Sequence, residues 1–271
     1  MVHSHPDLNS IIVIKIGGST LDSHDTSLQD IVQLQKKGQP VVIVHGGGKT
    51  ITDWLDKMGV NSKFVRGLRV TDVATLQVVV AVLAGLVNKE LVAALTGFGG
   101  KALGLSGVDG ALIETRLKDA DIGLVGEIVK INTEPLAAAL KAGYIPVVAP
   151  PGYLPPQQSQ PSAILNVNGD TAAAEIAGAL KASKLIFLTD VDGVLDSSKK
   201  VISQLHPPEG QQLIASGVAS AGMIPKLEAC LLAVKNVPVA RIIDGRQPHA
   251  LLAEAEGRGG GTTILPQRIV K

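Results

Sequence analysis

The sequence predicts an α/β protein, a three-layer αβα sandwich around a mainly parallel central sheet. Short β-branched runs alternate along it with segments of helical period, the pattern of strands crossed over by helices. Apolar residues make up 45% of the 271 and only 2% are aromatic, so the apolar content is mostly Ala, Val, Leu and Ile. That composition suits parallel strands buried on both faces better than a β-sandwich or an aromatic binding platform.

The runs 11–16, 40–44, 102–105, 145–149, 185–189 and 240–243 are brief and, as a set, rich in β-branched residues, and read as buried strands. After the glycines at 46–48, Ile51, Trp54, Leu55 and Met58 recur at i, i+3, i+4 and i+7, which predicts one face of a helix. Thr71 and Asp72 give a cap signal for a long helix reaching Leu95. An Ala-rich helix over 171–182 follows Asp170, a good N-cap, and 227–234 reads as another helix. The stretch 150–161 (PPGYLPPQQSQP) carries five prolines and no apolar period, so it is expected to be a loop, either hairpin or lid. A second glycine-rich loop lies at 257–261. No internal repeat is present, and the length allows one large α/β domain or two lobes sharing a sheet.

Several function classes lose support at this level. Net charge is +1, with 25 basic against 24 acidic residues and no long run of either sign, which argues against nucleic-acid or membrane binding. The single cysteine, Cys230, excludes an intrachain disulfide and reads as a small core residue. Residues 1–10 are polar and unlike a signal peptide, so a cytoplasmic location is expected; His3 and His5 read as part of a disordered terminus rather than metal ligands. The apolar run 78–87 ends at Asn88, Lys89 and Glu90, short of the roughly 20 residues that span a bilayer. A helix apolar on all sides is expected to be buried on more than one face, with a subunit interface as one reason.

Chemistry concentrates at strand ends, where open α/β sheets bind ligands. Three polar clusters sit there: Lys15-Ile-Gly-Gly-Ser, His45-Gly-Gly-Gly-Lys and Thr189-Asp-Val-Asp-Gly. The first two are strand–glycine–helix junctions, where bare backbone and a helix N-terminus suit phosphate. A Walker A loop needs glycine at position 43, where Ile43 stands. A dinucleotide fingerprint forced onto 97–102 follows a helix and precedes a strand, the wrong order. Asp190-Val-Asp192-Gly193 places its glycine too early for an EF-hand.

The set IKIGGS, VHGGGK, GLRVTD, NVNGD, LTDVDGVL and GMIPK, in that order, resembles the amino acid kinase family from about residue 11 to about 264. VNKELV, GLVGEI and GYIPVVAP make it most similar to the branch that phosphorylates the side-chain carboxylate of N-acetyl-L-glutamate with ATP, a step of arginine biosynthesis. The resemblance implies an N-terminal lobe over 1–182 for acceptor binding and dimerisation, and a C-terminal lobe over 183–271 for the nucleotide. It implies that Lys15 and Lys226 contact the transferring phosphoryl group and that Asp170 holds both lysines in place. Gly17, Gly18, Gly47 and Gly48 would offer backbone N–H groups. Arg69 would grip a substrate carboxylate and Asn166 a substrate amide. Thr189, Asp190, Gly193, Leu195, Val218 and Ser220 would border the nucleotide. Magnesium would arrive on the ATP phosphates, with no dedicated protein metal site.

The chemistry agrees with this residue list, because a carboxylate acceptor is already ionised at neutral pH and needs no general base. His45 therefore reads as structural. Lys49 and Thr50 read as solvent-facing, Glu175 and Glu228 as helix-face charges, and Asp170 also fits a plain helix cap of about 1 kcal/mol. The loop before NVNGD is longer and richer in proline than the family's usual hairpin. Arginine-regulated relatives carry a longer N-terminal helix than the ten or so residues here, so a homodimer insensitive to arginine is expected. Two other functions stay open: a kinase for aminoadipate or glutamate on an acidic carrier protein, and a catalytically silent sensor. The acidic and apolar stretch DADIGLVGE disfavours the first, and the presence of both lysines the second.

Overall fold

The structure, a computed structural model, describes residues 10–17, 26–65, 67–156, 161–220 and 222–267. His3, His5, Gly18 and the 157–160 part of the proline-rich stretch lie outside the described residues.

The chain begins with β1 (Ile12–Ile16), α1 (Ser27–Lys36), β2 (Val41–His45) and α2 (Gly48–Lys57), then a small hairpin of β3 (Phe64–Val65) and β4 (Leu68–Arg69). A long helix follows in three parts: α3 (Val73–Val80), a π-helical segment (Ala81–Val87) and α4 (Asn88–Gly97). Next come β5 (Ala102–Gly107), β6 (Ile113–Leu117), β7 (Gly126–Ile131), α5 (Glu134–Lys141), β8 (Ile145–Leu154), β9 (Ala163–Leu165) and α6 (Gly169–Ala179). The last third holds β10 (Lys184–Thr189), β11 (Gln204–Leu205), α7 (Pro207–Ala215), α8 (Ile224–Ala233), β12 (Ala240–Asp244), α9 (Ala250–Ala255) and β13 (Thr262–Ile264).

One sheet of 11 strands runs through the molecule in the order β11-β13-β12-β10-β1-β2-β8-β6-β7, with β5 and β9 also pairing with β8. Its centre, from β12 through β10, β1 and β2 to β8, is parallel throughout. Among the described strands of this sheet, β12 pairs antiparallel with β13, β6 with β7 and β8 with β9. Every residue of β1, β2 and β12 is buried, as expected of parallel strands covered on both faces.

Strand alternation sorts the core into two layers. Val13, Val42, Val44, Phe187 and Ile242 pack with Ala-rich α6, with α5 and with α8 on one face. Ile14, Ile16, Ile43, Leu188 and Ile243 pack with α1, the long helix and α9 on the other. Each fully buried Ile, Leu or Val contributes about 1.5–3 kcal/mol of transfer free energy. The αβα sandwich and its mainly parallel sheet are as the sequence predicts.

Four local expectations change. In α2, Ile51 and Leu55 are buried but Trp54 and Met58 are 43% and 61% exposed, so the apolar stripe is narrower than its spacing implied. Of the two forms expected for the proline-rich stretch the hairpin is present, but as far as Leu154 it is strand rather than loop, because β8 continues and β9 folds back on it. The long helix runs 25 residues from Val73 to Gly97, long and apolar enough by length and composition to cross a membrane. Its inner residues Val79, Val82, Leu83, Leu91 and Leu95 nevertheless pack into the core, the arrangement of a core helix. The strands β6 and β7 were missed, since Ile113–Leu117 and Gly126–Ile131 carry charges on their outer face and are too mixed to read as buried runs.

The chain between β6 and β7 returns to Thr71 through a tight contact: Thr71 N donates to the Ile122 carbonyl at 3.0 Å and Leu124 N to the Thr71 carbonyl at 2.7 Å. Gly123 between them has φ +70°, and a Cβ there would lie 2.4 Å from the Thr71 carbonyl oxygen. Both the left-handed conformation and the close approach require glycine. Gly123→Ala is expected to lower stability by about 2 kcal/mol or more, read from the urea unfolding midpoint. An unchanged midpoint would show that this contact is dispensable.

Candidate active site

The carboxyl ends of four neighbouring strands lie level on one edge of the sheet. Ile16 pairs with His45 on one side and Leu188 on the other, and Thr189 pairs with Asp244. The three polar clusters of the sequence therefore meet, joined by a fourth at the end of β12.

Lys15 stands on the same side of β1 as Val13 and so faces α6 and α8. It is 6% exposed, and its Nζ lies 2.6 Å from Asp170 Oδ1. Lys226, on the first turn of α8, brings its Nζ to 3.7 Å from Asp170 Oδ2. Burial pushes the Asp170 carboxyl up, but Lys15 and Lys226 together outweigh it and hold the group below the usual carboxylate range. Asp170 is therefore an anion shared by two cations.

The cap reading of Asp170 is corrected here. Asn168 caps α6, its Oδ1 accepting from Asp170 N at 2.9 Å and Thr171 N at 3.0 Å. Asp170 sits inside the first turn, free to turn its side chain to the lysines, where the positive end of the helix also favours an anion. Asn168 was missed as a separate residue, although an Asn two positions before an Asp at a helix start is a legible cap signal.

A cavity of about 230 Å³ opens beside this triad, lined by Lys15, Gly47, Gly48, Arg69, Asn166 and Asp170 among others. Arg69 is 7% exposed; its Nη2 donates to the Gly48 carbonyl at 3.0 Å and to Thr52 Oγ1 at 2.9 Å, and its Nη1 to Ser62 Oγ. Its guanidinium lies 4.7 Å from the Phe64 ring centre. The fork thus ties α2 to the β3–β4 hairpin and stands on the cavity wall. Asn166 Nδ2 donates to Thr71 Oγ1 at 3.0 Å, and that hydroxyl donates to the Arg69 carbonyl at 2.8 Å, so the two polar residues share one support.

The residues read for the nucleotide are not in the wall of this cavity. Thr189 is buried at the end of β10, with its hydroxyl shared between the Ile243 and Val191 carbonyls. Asp190 and Leu195 are exposed on the turn that follows, which also contains Gly193. Val218 is half-buried and Ser220 exposed just before α8. Gly17 directly follows β1, and Gly18 lies outside the described residues.

His45 points away from the triad, onto the face of the long helix, and is 1% exposed. Burial drives its pKa down to about 4, so the ring is neutral at neutral pH. Lys49 is exposed. Glu228 is an exposed charge of α8, whereas burial raises the Glu175 carboxyl on α6 with Lys235 opposing.

Asp244 and Arg246 were not anticipated, though the strand-end rule applied to β12 would have found them. Asp244 is 7% exposed and accepts from Arg246 Nε at 2.8 Å and Nη2 at 2.9 Å. Arg246 Nη2 also reaches Asp192 at 3.5 Å, which ties the turn after β10 to the end of β12.

Comparison with known proteins adds to this geometry. Residues 10–244 match the model of the amino acid kinase family. An acetylglutamate kinase of Dehalococcoides mccartyi is 47% identical over 264 residues, covering 96% of either chain. The crystal structure of smu.665 from Streptococcus mutans superposes with a TM-score of 0.81 at 32% identity, over 95% of this chain and 99% of that one. A carbamate kinase from Giardia lamblia bound to AMP-PNP, 15% identical with a TM-score of 0.65 over 95% of this chain and 99% of that one, shares the fold.

The Arg246 hydrogen bonds hold Asp244 down to about 2, against about 3.9 for an unfolded aspartate. A carboxylate depressed in this way stabilises the fold above its unfolded value, and the contribution is lost as pH falls through the folded one. Wild-type stability should therefore decline between about pH 4 and 2, and Asp244→Asn should remove that part of the decline. Superimposable acid-unfolding curves would rule out a native Asp244–Arg246 pair.

Proposed function

The chain belongs to the amino acid kinase family, and on that premise we propose that it transfers the γ-phosphoryl group of ATP to the side-chain carboxylate of N-acetyl-L-glutamate. The product is an acyl phosphate, and the process served is arginine biosynthesis. The observation that carries the reading is the Lys15–Asp170–Lys226 group, with Lys15 and Asp170 buried and Lys226 partly exposed, beside a cavity walled by the glycine loop and Arg69.

Two anions have to meet, and both resist approach. Lys15 and Lys226 supply positive charge where the phosphoryl oxygens spread theirs in a loose transition state. Asp170 keeps the two ammonium groups from separating and fixes their direction. The carboxylate nucleophile needs no base, which agrees with a site in which His45, at the start of the glycine loop, is neutral and turned to the other face. Gly47 and Gly48 offer backbone N–H groups to acceptor and phosphate, while Arg69 and Asn166 orient the acceptor through its α-carboxylate and its amide.

Gly17, Gly18, Thr189, Asp190, Gly193, Leu195, Val218 and Ser220 border the nucleotide in this reading. Those from Thr189 onward belong to a C-terminal lobe over 183–271, whereas Gly17 and Gly18, like the acceptor residues, belong to an N-terminal lobe over 1–182. The donors around the triad are cationic or backbone N–H, so magnesium would be held mainly by the nucleotide phosphates, where it offsets their charge. The enzyme acts in the cytoplasm as a homodimer. Support for the dimer comes from the long apolar helix, whose outer face leaves Val73, Ala74, Ala81 and Gly85 exposed. Light scattering should give twice the chain mass, and a monomer or hexamer would contradict it.

The decisive experiment is an ATP-dependent hydroxamate assay, in which hydroxylamine traps an acyl phosphate. N-acetyl-L-glutamate should give signal while glutamate, aspartate and aminoadipate do not. Silence with all four, despite ATP binding, would bring the carrier-bound acceptor or the silent sensor forward. In the same assay Lys226→Ala should lower kcat by about 100-fold or more with little change in melting temperature. Near-normal turnover would remove Lys226 from the mechanism.

A further inference from the structure

The long apolar helix contains a buried amide that the reaction scheme above does not use. Asn88 is 1% exposed and stands where the π-helical segment returns to α-helical winding. Its Nδ2 donates to the Val147 carbonyl at 2.8 Å and to His45 Nε2 at 3.1 Å, with the Leu105 carbonyl at 3.3 Å. Lys89 Nζ donates to its Oδ1 at 3.0 Å. Carbonyls only accept, so the amide has one orientation, and His45 Nε2 must accept. The proton of the neutral ring is then on Nδ1, and it goes to the Gly46 carbonyl 2.9 Å away.

The surroundings make room for this chain of contacts. A Cβ on Gly104 would lie 2.1 Å from Asn88 Oδ1, and a Cβ on Gly47 would lie 2.7 Å from Leu83 of the π-helical segment. The wide turn, a common feature of functional sites, thus presses Leu83 against the glycine loop and places Asn88 under His45. In a trans peptide the carbonyl and the next N–H point in opposite directions. With the Gly46 carbonyl held against the buried ring, the Gly47 N–H points to the other side of the loop, whose residues line the cavity.

We infer that Asn88 is a positioning residue for the phosphoryl transfer: acting through His45, it locks the Gly46–Gly47 peptide so that the Gly47 N–H meets the reacting oxygens. The inference rests on the kinase reading above. Asn88 itself touches no substrate.

The test uses the full chain with Asn88→Leu, His45→Asn and His45→Leu. It measures kcat and the KM values for N-acetyl-L-glutamate and ATP, and follows the Gly47 amide in a nitrogen–proton correlation spectrum of the ligand-free protein. Asn88→Leu should lower kcat on the order of 10- to 100-fold, change either KM by less than about threefold, and move the Gly47 resonance. His45→Asn, whose side-chain N–H can replace that of Nδ1, should keep more of kcat than His45→Leu. That pair carries the test if Asn88→Leu does not fold. A folded Asn88→Leu with wild-type kcat and an unmoved Gly47 resonance overturns the inference, as do equal losses in the two His45 variants. The failures are separable: a wild-type chain without turnover sinks the kinase reading, whereas the Gly47 resonance tests the locking contact in either case.

Discussion

Asp170 is an anion in a place where burial disfavours anions, and much of the molecule follows from keeping it charged. An unpaired buried carboxylate costs several kcal/mol, so it persists only with partners in good geometry. Those partners come from distant parts of the chain: Lys15 from the first strand and Lys226 from a helix more than 200 positions later. The two ammonium groups would repel each other at this separation without the carboxylate between them. Asn168 adds the last requirement by capping α6, which leaves the Asp170 side chain available for the lysines instead of its own backbone.

The sheet makes that convergence possible because its alternation is strict. Lys15 follows Ile14 and so must face α6 and α8. His45, after Val44, must face the long helix on the opposite side. Between them lies the glycine loop, reached by cationic chemistry from one face and by a neutral buried hydrogen-bond network from the other. A kinase with a carboxylate acceptor can use this division, since it needs positive charge near the phosphoryl group and no base at all. A histidine on the same face as Lys15 would add a titrating charge for which the reaction has no role.

The fold class was legible because parallel strands buried on both faces leave continuous β-branched runs, and five such runs lie where the structure has buried strands. The sixth, 102–105, is a strand but has no β-branched residue and is only partly buried, with Leu103 exposed. Elements with mixed composition were not. The strands β6 and β7 bury one face and show Glu114, Arg116, Glu127 and Lys130 on or near the other, which hides them among loops. Trp54 and Met58 fit a helical stripe by spacing but face outward, because α2 lies on the rim and only Ile51 and Leu55 reach the core. Proline suggested a loop where β8 continues to Leu154, since strand β9 supplies a partner that local sequence does not reveal.

By itself the sequence determined the αβα class, the polar strand ends and the residue types available for phosphoryl transfer, because these follow from local period and composition. The family resemblance already implied that Asp170 joins Lys15 and Lys226, and the tertiary structure supplied the distances. Only the tertiary structure decided that Asn168 rather than Asp170 caps α6 and that Asn88 lies beneath His45. It also set the Arg246 clamp between Asp244 and Asp192 at the fourth strand end. Ion pairs and buried hydrogen bonds depend on distances between residues far apart in the chain. Those distances arise from strand order and from the face each side chain takes, and neither is written in any local stretch.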